Sequence, residues 1–264
     1  MMSKFKLLII CFISIVLLSS CEKVIDVDIK NATPVIVIEG VVTNRADSQV
    51  VKISRSTLFG QPNVFPAVRG AVVSITEDGI RKANLLESRP GVYVIRNIRG
   101  TPGHTYTLKV EVDGKTYTAS STMPGQVLID TVALNSTNLL GNIRRTISLD
   151  YQDPPGIKNY YRCILKVNGI PSKQYFLFDD NFTDGKRINQ ELFDFDLDIQ
   201  KGDVTNIELH CVDPIVYRYW QGLDQNQNRG GASTTPANPV SNISDGALGY
   251  FSAHTRQNKV VLIP

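Results

Sequence analysis

The chain reads as mainly β, an immunoglobulin-like or transthyretin-like β-sandwich followed by a second β-rich domain with one short helix. Three observations lead there. Beyond residue 33, apolar and polar residues alternate through most of the chain, as half-buried strands require. Gly, Pro, Asn and Asp interrupt these runs at the short intervals typical of all-β folds. Only residues 214–227 switch to an apolar repeat of three or four, the period of a helix.

In chain order, the first set of strands covers residues 34–44 (PVIVIEGVVTN), 49–56 (QVVKISRS), 70–79 (GAVVSITEDG), 91–98 (GVYVIRNI), 104–112 (HTYTLKVEV) and 115–123 (KTYTASSTM). In the fifth, Tyr106, Leu108, Val110 and Val112 alternate with Thr105, Thr107, Lys109 and Glu111, so one face is apolar and the other wet. Asp113-Gly114 between the last two is the two-residue hairpin signal whose twist matches that of the strands. Met123-Pro124-Gly125 ends the set, since Pro cannot donate to a ladder and Gly breaks it. Residues 34–124 are therefore expected to form the sandwich and residues 125–264 the second domain.

That second domain opens with strand patterns at 127–134, 144–153, 159–169, 173–180, 189–199 and 203–213. Then Ile215, Val216, Tyr219, Trp220 and Leu223 take up the helical spacing, with Pro214 in the first turn and Asp213 as its N-cap. A loop rich in Gly, Ser, Asn and Pro fills residues 226–245, a length often associated with function. Residues 246–264 (GALGYFSAHTRQNKVVLIP) read as a closing hairpin.

The N-terminus carries a different message. Lys4 and Lys6 precede an apolar run from Leu7 to Leu18 interrupted only by Ser14, the layout of a secretory signal and too short to span a bilayer. Leu18-Ser19-Ser20-Cys21 resembles a bacterial lipobox, in which residues 1–20 are removed and Cys21 becomes an acylated N-terminus. Several acyl chains anchor stably where one holds marginally. Residues 21–33 then form a tether. Glu22, rather than Asp, follows the cysteine, which favours the outer membrane. The alternative is a simple cleaved signal with Cys21 left as a thiol. Loss of Lys4 and Lys6 leaves 26 basic against 25 acidic residues, a net charge of +1. So even a balance gives no electrostatic footprint for nucleic acid.

Chemistry-bearing motifs are sparse. Cys163 alternates with Tyr161, Leu165 and Val167, and Cys211 with Ile207 and Leu209, so both point with the apolar set. They are expected as buried thiols, with a disulfide as the alternative in an oxidising envelope. Asp179, Asp180 and Asp184 in FDDNFTDG are calcium candidates, although Asx turns account for the same residues. In DFDLD an EF-hand begun at Asp194 fails, with Ile199 where Gly is needed and Thr205 where Glu is needed. A strand fits it, with Phe193, Phe195, Leu197 and Ile199 inward and the aspartates in water. His104, His210 and His254 are scattered and lack any helical metal spacing, and there is no nucleophile elbow or P-loop. Tyr160, Tyr161, Tyr175, Phe176, Tyr217, Tyr219 and Trp220 are either core filler or a ligand platform. Asp130-Thr131-Val132 matches a Bacteroides-type O-glycosylation sequon at Thr131. No cofactor is expected beyond the covalent lipid.

Two resemblances add to this. Residues 91–120, GVYVIRNIRGTPGHTYTLKVEVDGKTYTAS, resemble the transthyretin-like regulatory fold, whose modules are generally non-catalytic. The chain as a whole is similar to a family of Bacteroidota lipoproteins called domain of unknown function 4249. That likeness is carried by residues 20–40 (SCEKVIDVDIKNATPVIVIEG), 103–124 (GHTYTLKVEVDGKTYTASSTMP) and 150–169 (DYQDPPGIKNYYRCILKVNG). It continues through residues 178–203 (FDDNFTDGKRINQELFDFDLDIQKGD) and 241–254 (SNISDGALGYFSAH). The resemblance implies an outer-membrane-associated lipoprotein, commonly encoded near a TonB-dependent receptor, and supplies no catalytic or binding residues. The expectation is thus a non-enzymatic envelope lipoprotein that assists a TonB-dependent transporter in nutrient uptake. A structural or adhesive surface lipoprotein is the alternative, and a hydrolase the third reading.

Overall fold

The structure, a computed structural model, describes residues 33–57, 64–139, 142–228 and 238–264. Cys21, the signal and almost all of the tether lie outside these residues, as does the middle of the 226–245 loop. The described residues from 34 onward belong to one compact unit.

The first seven strands are β1 (Ile36–Thr43), β2 (Gln49–Arg55), β3 (Val72–Glu77), β4 (Arg81–Arg89), β5 (Val92–Ile95), β6 (Thr105–Val112) and β7 (Lys115–Thr122). They are hydrogen-bonded in the order β1-β2-β5-β4-β3-β6-β7. The two ends of β4 have different partners: Arg81–Leu85 pair with β3, whereas Leu86–Arg89 pair with β5 across a bulge. A bulge bends and twists a strand, which lets β4 turn the corner between the layers of a sandwich. The β6–β7 turn has the expected form, with Asp113 and Gly114 at φ of 52° and 72°.

The remaining strands are β8 (Ile129–Leu139), β9 (Asn142–Gln152), β10 (Tyr160–Val167), β11 (Ile170–Pro171), β12 (Phe176–Asp179), β13 (Arg187–Leu192), β14 (Val204–Cys211) and β15 (Leu248–Leu262). A three-stranded sheet, β13-β9-β8, shares a core with β10, β12 and β14. Tyr151, Tyr161, Leu149 and Leu165 are buried there. The helix, α1 (Pro214–Asn228), packs its Val216 and Tyr217 with Tyr160, Leu177, Trp220 and Tyr250. Asp213 caps it as expected, Oδ1 accepting the N–H groups of Ile215 (3.0 Å) and Val216 (2.9 Å).

Residues 246–264 depart from the expected hairpin. They form one long strand, β15, parallel to β1 and antiparallel to β14. The polar stretch Thr255–Lys259, which looks like a turn in sequence, is strand that pairs with β14. Because β15 reaches β1, the main sheet runs across the expected division at residue 124. Buried apolar side chains form one cluster from residues 36–123 together with Ile243, Ala247, Phe251 and Ala253, a second from residues 127–211 with Ile263, and a small third of Val212, Val216 and Tyr217. Gly249 makes the parallel approach possible: its φ is 96°, and a Cβ there would lie 2.0 Å from the Ile38 carbonyl oxygen.

A polar, aromatic-framed face as candidate site

Strand register assembles the outer face of the main sheet. Arg162 on β10 stands opposite His210 on β14, which stands opposite Arg256 on β15. By alternation Glu208, Tyr250, Ser252 and His254 share that face. His210 and His254, 44 positions apart in sequence, stack with ring centroids 4.5 Å apart and an interplanar angle of 23°. Both are buried, at 5% and 6% exposure. His210 Nε2 lies 3.2 Å from Glu208 Oε2, while its Nδ1 is buried with no partner. A neutral imidazole with Nε2–H donating accounts for both facts. His254 Nδ1 shares a hydrogen bond of 2.9 Å with Ser252 Oγ.

Electrostatics follow from burial. Desolvation lowers the His210 pKa against the opposing pull of Glu208, and pushes His254 well below the ordinary histidine range, helped by His210, Arg162 and Arg256 nearby. The hydrogen bond with His210 holds the Glu208 carboxyl low, at about 2. The Ser–His contact has the partners of a nucleophilic pair, but Ser252 is only 1% exposed, so its hydroxyl faces no solvent-open cleft.

At the α1 side of this face is a cavity of about 340 Å³, lined by Arg162, Ser172, Lys173, Tyr175 and Gln227 among others. The Arg162 guanidinium sits over the Trp220 ring, its Cζ 3.5 Å from the centroid. Trp220 in turn meets Tyr175 (5.7 Å), Tyr219 (5.5 Å) and Tyr250 (5.1 Å). Among the described residues Arg162 has neither a salt bridge nor a hydrogen bond, and burial lowers its pKa despite the opposing influence of Tyr250, Tyr175 and Glu208. A cavity of about 310 Å³ in the first sandwich is different in kind: its Gln49 and Tyr106 are fully engaged, Gln49 with Thr43 and Ile98, and Tyr106 with Glu77 and Thr101.

The residues singled out by sequence have varied places. Cys163 and Cys211 are buried free thiols, not a disulfide. They sit diagonally, since Cys163 faces Leu209 and Cys211 faces Tyr161. Diagonal neighbours on adjacent strands are about 7–8 Å apart, beyond ordinary disulfide reach. Burial raises both thiol pKa values. Of the calcium candidates, Asp179 Oδ1 accepts the Asn181 N–H in an Asx turn. Asp180 and Asp184 meet Asp153 instead, with ligand oxygens within 4.8 Å of one another. Those carboxylates already hold the turn: Asp153 accepts from Tyr161 and Gly185, Asp180 from Asn159, and Asp184 from Gly156. The Lys158 ammonium lies 3.3 Å from Asp180 Oδ1. Thr131 is exposed on β8, next to a bulge.

DFDLD is not a strand. Residues 193–198 form a turn in which Asp194 is buried, its Oδ1 accepting the Asp196 N–H (2.8 Å) and its Oδ2 the Ser172 hydroxyl (2.5 Å). Phe193 and Phe195 are exposed instead, as a T-shaped pair 4.4 Å apart. One local Asx-type hydrogen bond and one long-range bond from Ser172 outweigh the apolar alternation.

These features define a mainly β, sandwich-like protein with a cavity beside the end of its single described helix. The family model named "Domain of unknown function (DUF4249)" matches residues 22–259, and the chain belongs to that family. A search of curated proteins gives no match. Among solved structures, one similar chain comes from work titled "Structural insight into host cell surface retention of a 1.5-MDa bacterial ice-binding adhesin". It is 11% identical, with 88% of this chain and 66% of that chain covered at a TM-score of 0.20, too low to carry fold or function across. Among the described residues no helix is long and apolar enough to cross a membrane.

Proposed function

We propose that this chain is a non-enzymatic, lipid-anchored protein of the outer membrane that holds a ligand in the cavity at α1 and serves a TonB-dependent transporter. The observation that carries the binding role is the Arg162 guanidinium, stacked on Trp220 beside that cavity and without a protein acceptor among the described residues. The anchor rests on Leu18-Ser19-Ser20-Cys21 after the apolar run. Closure of Ser252 from solvent favours binding over hydrolysis.

Crosslinking in intact cells followed by purification in mild detergent tests the partnership. Recovery of an outer-membrane barrel with the chain is expected, and its consistent absence would remove the transporter role. Cys21→Ala should release the protein from the membrane fraction, and continued retention would overturn the lipid anchor. A second reading, an adhesive or structural surface protein, is favoured by the exposed Phe182, Phe193 and Phe195. It predicts that deletion leaves growth on every nutrient unchanged while envelope cohesion or attachment suffers.

A further inference from the structure

We propose that the cavity beside Arg162 is a carboxylate-binding site for a small organic ligand, with Tyr175 flanking the ligand's uncharged part and Trp220 holding the guanidinium from behind. The inference rests on the ligand-holding role above and names the chemistry of what is held.

The geometry of the guanidinium carries it. Its Cζ lies over the indole, 3.5 Å from the ring centroid, and a cation–π contact of this kind consumes none of the N–H groups. The N–H groups lie in the guanidinium plane, and none of them donates to a described protein acceptor. A planar fork of this kind matches a carboxylate in bidentate fashion, and the match is stronger away from bulk water. Glu208, the carboxylate whose charge reaches Arg162, is committed elsewhere. It lies 3.2 Å from His210 Nε2 and 3.7 Å from Lys166 Nζ. A half-buried guanidinium whose N–H groups meet no acceptor among the described residues is costly, and a ligand carboxylate would offset that cost.

The surroundings suit such a ligand. Lys173 adds a second positive charge at the rim, and Ser172, Gln174 and Gln227 add hydrogen-bonding groups. Gln227 Nε2 donates to the Lys173 carbonyl at 2.9 Å, tying the end of α1 to the segment that borders the cavity. A volume of about 340 Å³ is at the small end of the range of ligand pockets and takes one or two residues' worth of a peptide or a single sugar. Two sources of carboxylate fit: the C-terminus of a short peptide, or an acidic sugar whose ring stacks on the aromatics.

The chain has a single tryptophan, Trp220, so its fluorescence reports on the Arg162 guanidinium that sits over it. The full-length protein in mild detergent would be titrated with acetyl-dialanine and its C-terminal amide, and with glucuronate and glucose. Isothermal titration calorimetry would be run in parallel. One of the two acids should bind and change the Trp220 emission, with its neutral partner at least tenfold weaker. Which acid binds separates peptide from sugar. Arg162→Met should weaken binding at least tenfold, and Arg162→Lys should weaken it less. Both variants should keep the wild-type far-UV circular dichroism and denaturation midpoint within error. Equal affinity for an acid and its neutral partner, unaltered binding by Arg162→Met, or no binding of either acid would overturn the proposal. A protein that co-purifies with a barrel yet binds neither acid would overturn this inference while leaving the transporter role intact.

Discussion

Acidification should destabilise this protein through its stacked histidines. In the folded state His254 and His210 both resist protonation, because their rings are buried, stacked on one another and close to Arg162 and Arg256. In the unfolded chain each titrates near about 6.5. Below that pH the unfolded state holds more protons than the folded one, so stability is lost as pH falls and is retained above it. For a histidine that stays neutral when folded, going from pH 7.5 to pH 5.5 costs about 1.4 kcal/mol, one full unit of linkage. His254 should contribute close to that amount. His210 should contribute less, since Glu208 favours its charged form. Glu208 itself, held at about 2, stays ionised throughout the window. Together the pair should remove about 1.4–2.7 kcal/mol, a large share of the margin of a typical domain.

Urea unfolding at the two pH values and constant ionic strength, followed by circular dichroism, measures this directly. His254→Asn keeps a polar group near the Ser252 hydroxyl but cannot titrate in this range. It should lower stability at pH 7.5 and flatten the pH dependence by about 1 kcal/mol. If the variant loses as much stability on acidification as the wild type, the stack is not the source and the reasoning fails.

Three further outcomes are expected. Gly249→Ala forces a side chain at φ of 96° into the Ile38 carbonyl and should cost about 3 kcal/mol or more, seen as a collapse of the denaturation midpoint or loss of soluble protein. Asp213→Ala removes both the α1 cap and the hydrogen bond accepted from the buried Ser121 hydroxyl, whose Oγ also accepts the Ala253 N–H. A loss of about 2–3 kcal/mol and a red-shifted Trp220 emission should follow; unchanged emission would mean that the cap does not hold the helix in place. Cys163 and Cys211, buried with raised thiol pKa values, should resist a thiol reagent in the native protein and react fully in denaturant.

Some residues announced their places in advance. Asp213-Pro214 marked the start of α1, Asp113-Gly114 marked the β6–β7 turn, and the alternation in Tyr160–Val167 placed Cys163 inward. Each is a local signal, since caps, tight turns and period-2 patterning depend on neighbours a few residues away. DFDLD misled for the same reason: its alternation was real, but Asp194 found its partner in Ser172, a residue 22 positions earlier. Thr255–Lys259 misled because a polar strand and a polar turn look alike until the pairing partner is known.

The sequence by itself determined the β class, the single helix among the described residues and most strand positions. Only the tertiary structure decided that β15 joins β1 to β14, that His210 and His254 stack, and that Arg162 lies on Trp220 beside a cavity. These contacts link residues 44 and 58 positions apart, and β15 meets β1 from more than 200 positions away. Strand patterning fixes which way a side chain points but not which strand lies next to it. Register is settled by long-range pairing and burial, and it is register that brings Arg162, His210 and Arg256 side by side.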